Sequence, residues 1–250
     1  MNTQAHIVVR DLTMAYGDFV IQHDLNFTIN RGEVFIIMGG SGCGKSTLMK
    51  HLIGLKVPAR GDVYIDDINY WQSTPEVQKN LKRRFGVMFQ SGALWSSLTL
   101  AENVALPLGE YTALGQREIA DIVALKLSLV GLAGYEDFYP SQLSGGMQKR
   151  AGLARAMSLD PEILFFDEPS AGLDPVSSRR LDELILELSA SLATTVVVVT
   201  HELDSIFTIG HNSVFLDSES KTMLTTGDPQ WLRDHSPNPI VRSFLNRGEQ

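Results

Sequence analysis

The residues most able to do chemistry start with Gly39-Gly40-Ser41-Gly42-Cys43-Gly44-Lys45-Ser46-Thr47. Glycines there let the backbone turn its N–H groups inward around a phosphate, and a helix beginning after them would aim its positive end at the same anion. Lys45 could reach the β- and γ-phosphates of a nucleotide, and the Ser46 hydroxyl could ligate Mg²⁺. The run satisfies the Walker A pattern and comes directly after an apolar strand, as that pattern requires. A second group is Asp167-Glu168, delivered by the apolar run Ile163-Leu164-Phe165-Phe166. Two acids at the C-terminal edge of a buried strand stand where ligands of such sheets bind. Asp167 would hold Mg²⁺ through its water shell, and Glu168, pointing the other way, could polarise an attacking water. Each motif alone has a bland alternative, an unliganded glycine turn or an acidic helix cap.

Those two groups leave many nucleotide enzymes open, small-molecule kinases included. Leu143-Ser144-Gly145-Gly146-Met147-Gln148 narrows the field. A serine and two glycines open a helix whose apolar positions, Met147, Ala151, Ala154 and Met157, recur every three or four residues, and such a helix start is itself an anion site. Cys43 is the lone cysteine, with no resolving partner in the chain, and no redox duty is assigned to it.

Elements that could position these residues are legible in the hydrophobic pattern. Short β-rich runs at 7–12, 27–29, 34–38, 62–65 and 85–89 are divided by turn residues. A helical stretch over 47–55 comes after the glycine loop, and helical spacing over 101–130 makes the middle of the chain a candidate helical subdomain. From residue 161 the pattern returns to strand (163–166), helix (176–190) and strand (196–200). Strands without polar alternation, joined by helices, predict a parallel sheet buried on both faces. The 250 residues, 44% hydrophobic and 20% charged, can bury roughly 75% of their unfolded surface. A net charge of −8 argues against an electrostatic grip on nucleic acid or anionic lipid, and one cysteine suits a reducing cytosol. The longest apolar runs are strand-sized, and the first ten residues do not read as a signal peptide.

With the L-S-G-G-x run in place the chain resembles the ATP-binding subunits of ABC transporters along nearly its whole length. The resemblance implies an α/β P-loop ATPase whose mostly parallel core carries an N-terminal antiparallel part and an inserted helical subdomain. It divides the single ATPase domain, 1–250, into a core (1–90 and 161–235), a helical subdomain (91–160) and a short tail (236–250). It also implies a homodimer with two ATP and Mg²⁺ in the interface, Ser144, Gly145 and Gly146 of each subunit closing on the partner's nucleotide. By the same resemblance Tyr16 stacks on adenine, although a hairpin tyrosine is the plain alternative. Gln90 senses Mg²⁺ and the γ-phosphate, Asp174 in Ser170-Ala171-Gly172-Leu173-Asp174 crosses the interface, and His201 contacts the γ-phosphate. His6, His23, His51, His211 and His235 match no motif.

Three further stretches, Phe89-Gln90-Ser91-Gly92-Ala93-Leu94, Leu98-Thr99-Leu100-Ala101-Glu102-Asn103-Val104 and the region of Asn238-Pro239-Ile240, resemble the ATPases of MCE-type, Mla-like lipid transporters. Five residues come after Leu245, where the Mla ATPase carries a longer arm. The resemblance implies an integral membrane permease and an MCE-domain lipid-binding protein as partners, a peripheral place on the cytoplasmic face of the inner membrane, and no nucleic acid. The alternatives are a solute importer or lipoprotein-releasing system and a soluble ABC ATPase acting on DNA or ribosomes, against which stand the net charge and the lack of a coiled-coil insertion.

Overall fold

The computed structural model describes residues 4–247. The chain opens with two long strands, β1 (Ala5–Tyr16) and β2 (Phe19–Asn30), joined by a tight turn at Gly17 and Asp18. It continues through β3 (Val34–Gly39), α1 (Lys45–Leu52), β4 (Arg60–Ile65), β5 (Ile68–Asn69), α2 (Pro75–Lys82) and β6 (Phe85–Met88). The next three helices are α3 (Leu100–Tyr111), α4 (Gln116–Leu129) and α5 (Gly145–Ala156), with a short 3₁₀ turn (Pro140–Gln142) between the last two. Then come β7 (Ile163–Asp167), α6 (Pro175–Leu192), β8 (Thr195–Val199), α7 (Leu203–Ile209), β9 (Asn212–Leu216), β10 (Met223–Gly227), α8 (Pro229–His235) and α9 (Pro239–Leu245).

Two sheets result. The antiparallel one runs β2-β1-β4-β5, and the other runs β10-β9-β3-β8-β7-β6, parallel throughout except for the antiparallel edge strand β10. Every residue of β3, β7 and β8 is buried, which is why those strands read as continuous apolar runs. The pleat sorts them. Phe35, Ile37, Phe165 and Val197 face a core shared with the antiparallel sheet and α1, whereas Val34, Ile36, Phe166 and Val198 face the core beneath the helices. Phe27 of β2 stacks on Phe35 with centroids 5.5 Å apart, joining the sheets.

The helical stretch expected over 101–130 is two helices. Thr112 leaves the first with its hydroxyl donating to the Leu108 carbonyl at 2.6 Å, and Glu118 opens the second by accepting from the Gly115 N–H at 2.8 Å. Helix α1 starts at Lys45, two residues before the expected 47, because Gly44 caps it in the left-handed region at φ +99°. Within the expected tail, α9 buries Val241, Phe244 and Leu245, and the Phe244 ring meets Phe215 edge-on at 5.1 Å. Residues 248–250 of that tail lie outside the described residues.

At the N-terminal ends of the parallel strands, Arg31 and Arg84 bridge Asp66 and Glu162. Buried His6 sits 3.9 Å from both carboxylates. Burial and then the Arg31 charge hold its pKa down to about 4. Burial does the same to His51 on α1, whose pKa is also about 4. In the unfolded chain both rings return to about 6.5, so the folded protein binds fewer protons between the two values. The stability they contribute is present above pH 6.5 and is lost as pH falls toward 4. For His51, which is fully buried, that is roughly 3 kcal/mol by the pKa difference. Thermal melts should show Tm falling between pH 6.5 and 4, with a shallower fall in His51→Gln; identical slopes would remove His51 from the account.

Candidate active site

Strands β3, β8, β7 and β6 are in parallel register, with Ile37 beside Val199 and Val199 beside Asp167. Their C-terminal ends therefore align. One edge of the sheet thus gathers the glycine loop after β3, His201 after β8, Asp167 and Glu168 at β7, and Gln90 after β6. A cavity of about 630 Å³ opens there, lined by Gly39, Gly40, Ser41, Gly42, Gly44, Lys45, Ser46 and Thr47 with Gln90, Glu168 and His201.

The loop is tightly seated. A side chain at Gly39 would put Cβ 2.2 Å from the Leu216 carbonyl oxygen at φ +146°, so only glycine fits where the loop passes β9. Lys45, 8% exposed, donates to the carbonyls of Gly39 at 3.1 Å and Gly40 at 3.0 Å, which holds its ammonium inside the cradle. Gln22 of β2 braces the loop from behind, donating to the Cys43 and Asp217 carbonyls at 2.8 and 2.7 Å. The Cys43 side chain is turned into the core and its thiol pKa is raised by burial, leaving its backbone as the part that belongs to the loop.

The Ser46 hydroxyl donates to Asp167 Oδ1 at 2.8 Å. A hydroxyl and a carboxylate in contact beside the phosphate cradle, with the Gln90 amide on the same cavity wall, form an all-oxygen donor set that fits Mg²⁺. Glu168 sits one residue past the strand in the left-handed region, φ +50°, a conformation uncommon outside glycine and costly enough to need support. Its N–H donates to the Val199 carbonyl at 2.8 Å. One carboxylate oxygen lies 2.8 Å from His201 Nδ1, and the other accepts no hydrogen bond from the described residues although it is buried.

Other expected site residues lie elsewhere. Tyr16 is 54% exposed, is not part of the cavity wall, and carries the Lys56 ammonium 3.4 Å from its ring centre. Ser144 caps α5 by accepting from the Met147 N–H at 3.3 Å, and with exposed Gly145 and half-buried Gly146 it is absent from this cavity. Asp174 caps α6 through the N–H groups of Val176 and Ser177, both at 3.0 Å, and hydrogen bonds from Ser177 lower its pKa. Sequence reasoning missed Leu203, Phe244 and Arg247, which complete the cavity wall. Arg247 lies just past α9 and matches no motif.

A glycine loop at the edge of a parallel sheet, with a hydroxyl–carboxylate pair and a glutamate–histidine pair beside it, is the arrangement of a P-loop nucleotide-binding fold. The family described as "ABC transporter" matches residues 22–171, and the chain belongs to that family. It is 37% identical over 238 residues to the intermembrane phospholipid transport system ATP-binding protein MlaF of Escherichia coli (strain K12), covering 95% of this chain and 87% of that one. It is 42% identical over 240 residues to the "probable ribonucleotide transport ATP-binding protein mkl" of Mycobacterium tuberculosis (strain ATCC 25618 / H37Rv), covering 96% of this chain and 66% of that protein, just under two thirds of its length. In three dimensions it is similar to the ATP-binding cassette MJ0796, solved as a dimer in a post-hydrolysis state with ADP and Pi. The TM-score there is 0.79 at 29% identity, over 89% of this chain and 98% of that one.

Proposed function

We propose that the chain is the ATPase of an MCE-type, Mla-like lipid transporter, working as a homodimer beneath a membrane permease and moving phospholipid or another hydrophobic molecule. The observation that carries the catalytic part is the meeting of the Lys45 cradle, the Ser46–Asp167 pair and the Glu168–His201 pair at one sheet edge. Lys45 binds the β- and γ-phosphates, and Ser46, Asp167 and Gln90 hold Mg²⁺, which when bound neutralises phosphate charge. Glu168, oriented by His201, uses its free carboxylate oxygen to align water behind the γ-phosphate. Charge on the transferring group is met by Lys45, His201 and the partner's Ser144 and Gly146. The stretches 91–160 and 236–247 serve as helical subdomain and tail. No helix among the described residues is long and apolar enough to cross a membrane, and the reading places the chain against the inner membrane's cytoplasmic face through the permease, with an MCE-domain protein in the complex.

The lipid reading rests on similarity to MlaF and on the segment after Gln90. That segment presents Trp95, 62% exposed, on a firm loop: buried Asn103 donates to the carbonyls of Trp95, Leu98 and Thr99 and accepts from the Trp95 N–H at 2.8 Å. Leu94 is turned toward the chain's own core, so Trp95 is the side chain offered to a permease helix. Trp95→Asp should leave ATP affinity unchanged and lose co-purification with the membrane subunits in mild detergent. Retained assembly with full stimulation of ATPase activity would move the contact elsewhere. Reconstituted complex should transfer fluorescent phospholipid between vesicles in an ATP-dependent way, and transfer of ribonucleotide instead would overturn the lipid assignment.

A further inference from the structure

Lys149, the residue after Gln148, touches neither the phosphate cradle nor the Ser46–Asp167 pair. It lies on α5 and is 7% exposed; the Glu202 and Glu168 charges favour its ammonium, but the acceptors its Nζ meets are backbone carbonyls. Its Nζ donates to the carbonyl of Ala171 and reaches that of Glu168 at 3.5 Å. A buried ammonium is costly without strong acceptors, and a methionine or leucine would fill the same space without that penalty. Here the charge is placed on the backbone of the loop that carries the strained glutamate. Glu168 at φ +50° is held by its N–H to Val199, by the Ala171 N–H donating back to the Glu168 carbonyl at 3.3 Å, and by Lys149 bridging both carbonyls.

The other end of α5 is fixed as firmly. Arg155 donates to the carbonyls of Gly92 at 2.9 Å and Ala93 at 2.7 Å, and Gly152 lies against Gly92 so closely that an added Cβ would stand 3.1 Å from it. The helix therefore grips the loop before Trp95 at one end and the loop carrying Glu168 at the other.

We propose that Lys149 is a positioning residue for ATP hydrolysis: from the helix that opens at Ser144 it clamps the carbonyls of Glu168 and Ala171, fixing the Glu168 carboxylate in line with the γ-phosphate and tying its position to the loop at Gly92 and Ala93. This rests on the reading of Glu168 as the group that aligns water. The phosphate cradle has no contact with Lys149, so binding and turnover should respond differently. In the full-length chain, Lys149→Met should keep ATP affinity within about twofold while kcat falls roughly 10- to 100-fold, the size of loss that accompanies a misplacement of about 1 Å. Lys149→Arg, which can still donate to both carbonyls, should recover most of that loss.

A double-substitution cycle separates positioning from general damage to the fold. If Lys149 acts through Glu168, adding Lys149→Met to Glu168→Gln should lower kcat no further, whereas a merely structural role would multiply the two losses. Should Lys149→Met fail to fold by thermal melt, Lys149→Gln replaces it and must show the same split. Turnover within about twofold of wild type, equal losses in affinity and kcat, or multiplicative losses in the cycle would overturn the proposal. Wild-type turnover in Glu168→Gln would instead sink the reading of the active site itself, whatever Lys149→Met does.

Discussion

Glu168→Gln should bind ATP as the wild type does and hydrolyse it about 10²- to 10⁴-fold more slowly, the usual worth of a positioned base. The substitution keeps size and the contact with His201 Nδ1, which lies 2.8 Å from the carboxylate, while removing the negative charge that draws a proton from water. The side chain belongs to the cavity wall, yet the phosphates are to be held by Lys45 and the loop, which the substitution leaves alone. Lys45→Ala gives the contrasting result, weakened binding as well as lost turnover, because the charge removed neutralises phosphate in the ground state. Nucleotide titration and single-turnover hydrolysis on the assembled complex separate the two. Wild-type turnover in Glu168→Gln would show that another group aligns the water.

The second large effect concerns assembly. In the Glu168→Gln background ATP and Mg²⁺ should shift the chain from monomer toward dimer, since trapped nucleotide bridging two faces stabilises the pair by mass action. Gly145→Asp should abolish that shift by placing a carboxylate against the γ-phosphate. The substitution is tolerable within one subunit. Gly145 is exposed, and a Cβ there would meet nothing nearer than Leu173 Cδ2 at 4.0 Å, so the fold of α5 should survive. Sedimentation at matched ATP reads the outcome, and equal dimer fractions with and without Gly145→Asp would dismiss a nucleotide sandwiched between Ser144–Gly146 of one subunit and the cradle of the other.

Much of this arrangement is legible in the amino-acid sequence. Residues 34–38 and 163–166 announce buried parallel strands because a strand covered on both faces has no polar alternation to show. The glycine loop, the acid pair and His201 come directly after such strands, so finding the strands places the chemistry at one edge. The hidden part depends on distance along the chain. Gln22 braces a carbonyl 195 residues away, and Lys149 reaches carbonyls 19 and 22 residues on in one loop, contacts for which one sequence carries no local signature. The division of 101–130 is hidden for another reason: the Thr112 and Glu118 side chains interrupt the helix by hydrogen bonding to nearby backbone while the apolar spacing runs on unbroken. Nor does a motif position reveal the surroundings of Tyr16. A cation already covers one face of its ring, so stacking on adenine would have to use the other face or displace Lys56.

Phe244 and Arg247 have a practical bearing on how this cassette is handled. Because they form part of the cavity wall, anything attached next to Arg247 starts at the doorway of the nucleotide chamber. Gln4, by contrast, pairs through its carbonyl with Arg31, at the opposite rim of the sheet beside the arginine–carboxylate knot. Affinity handles, fluorophores and fusion partners attached beside Gln4 therefore start at the rim away from the chamber, and a label attached beside Arg247 becomes a reporter of its filling.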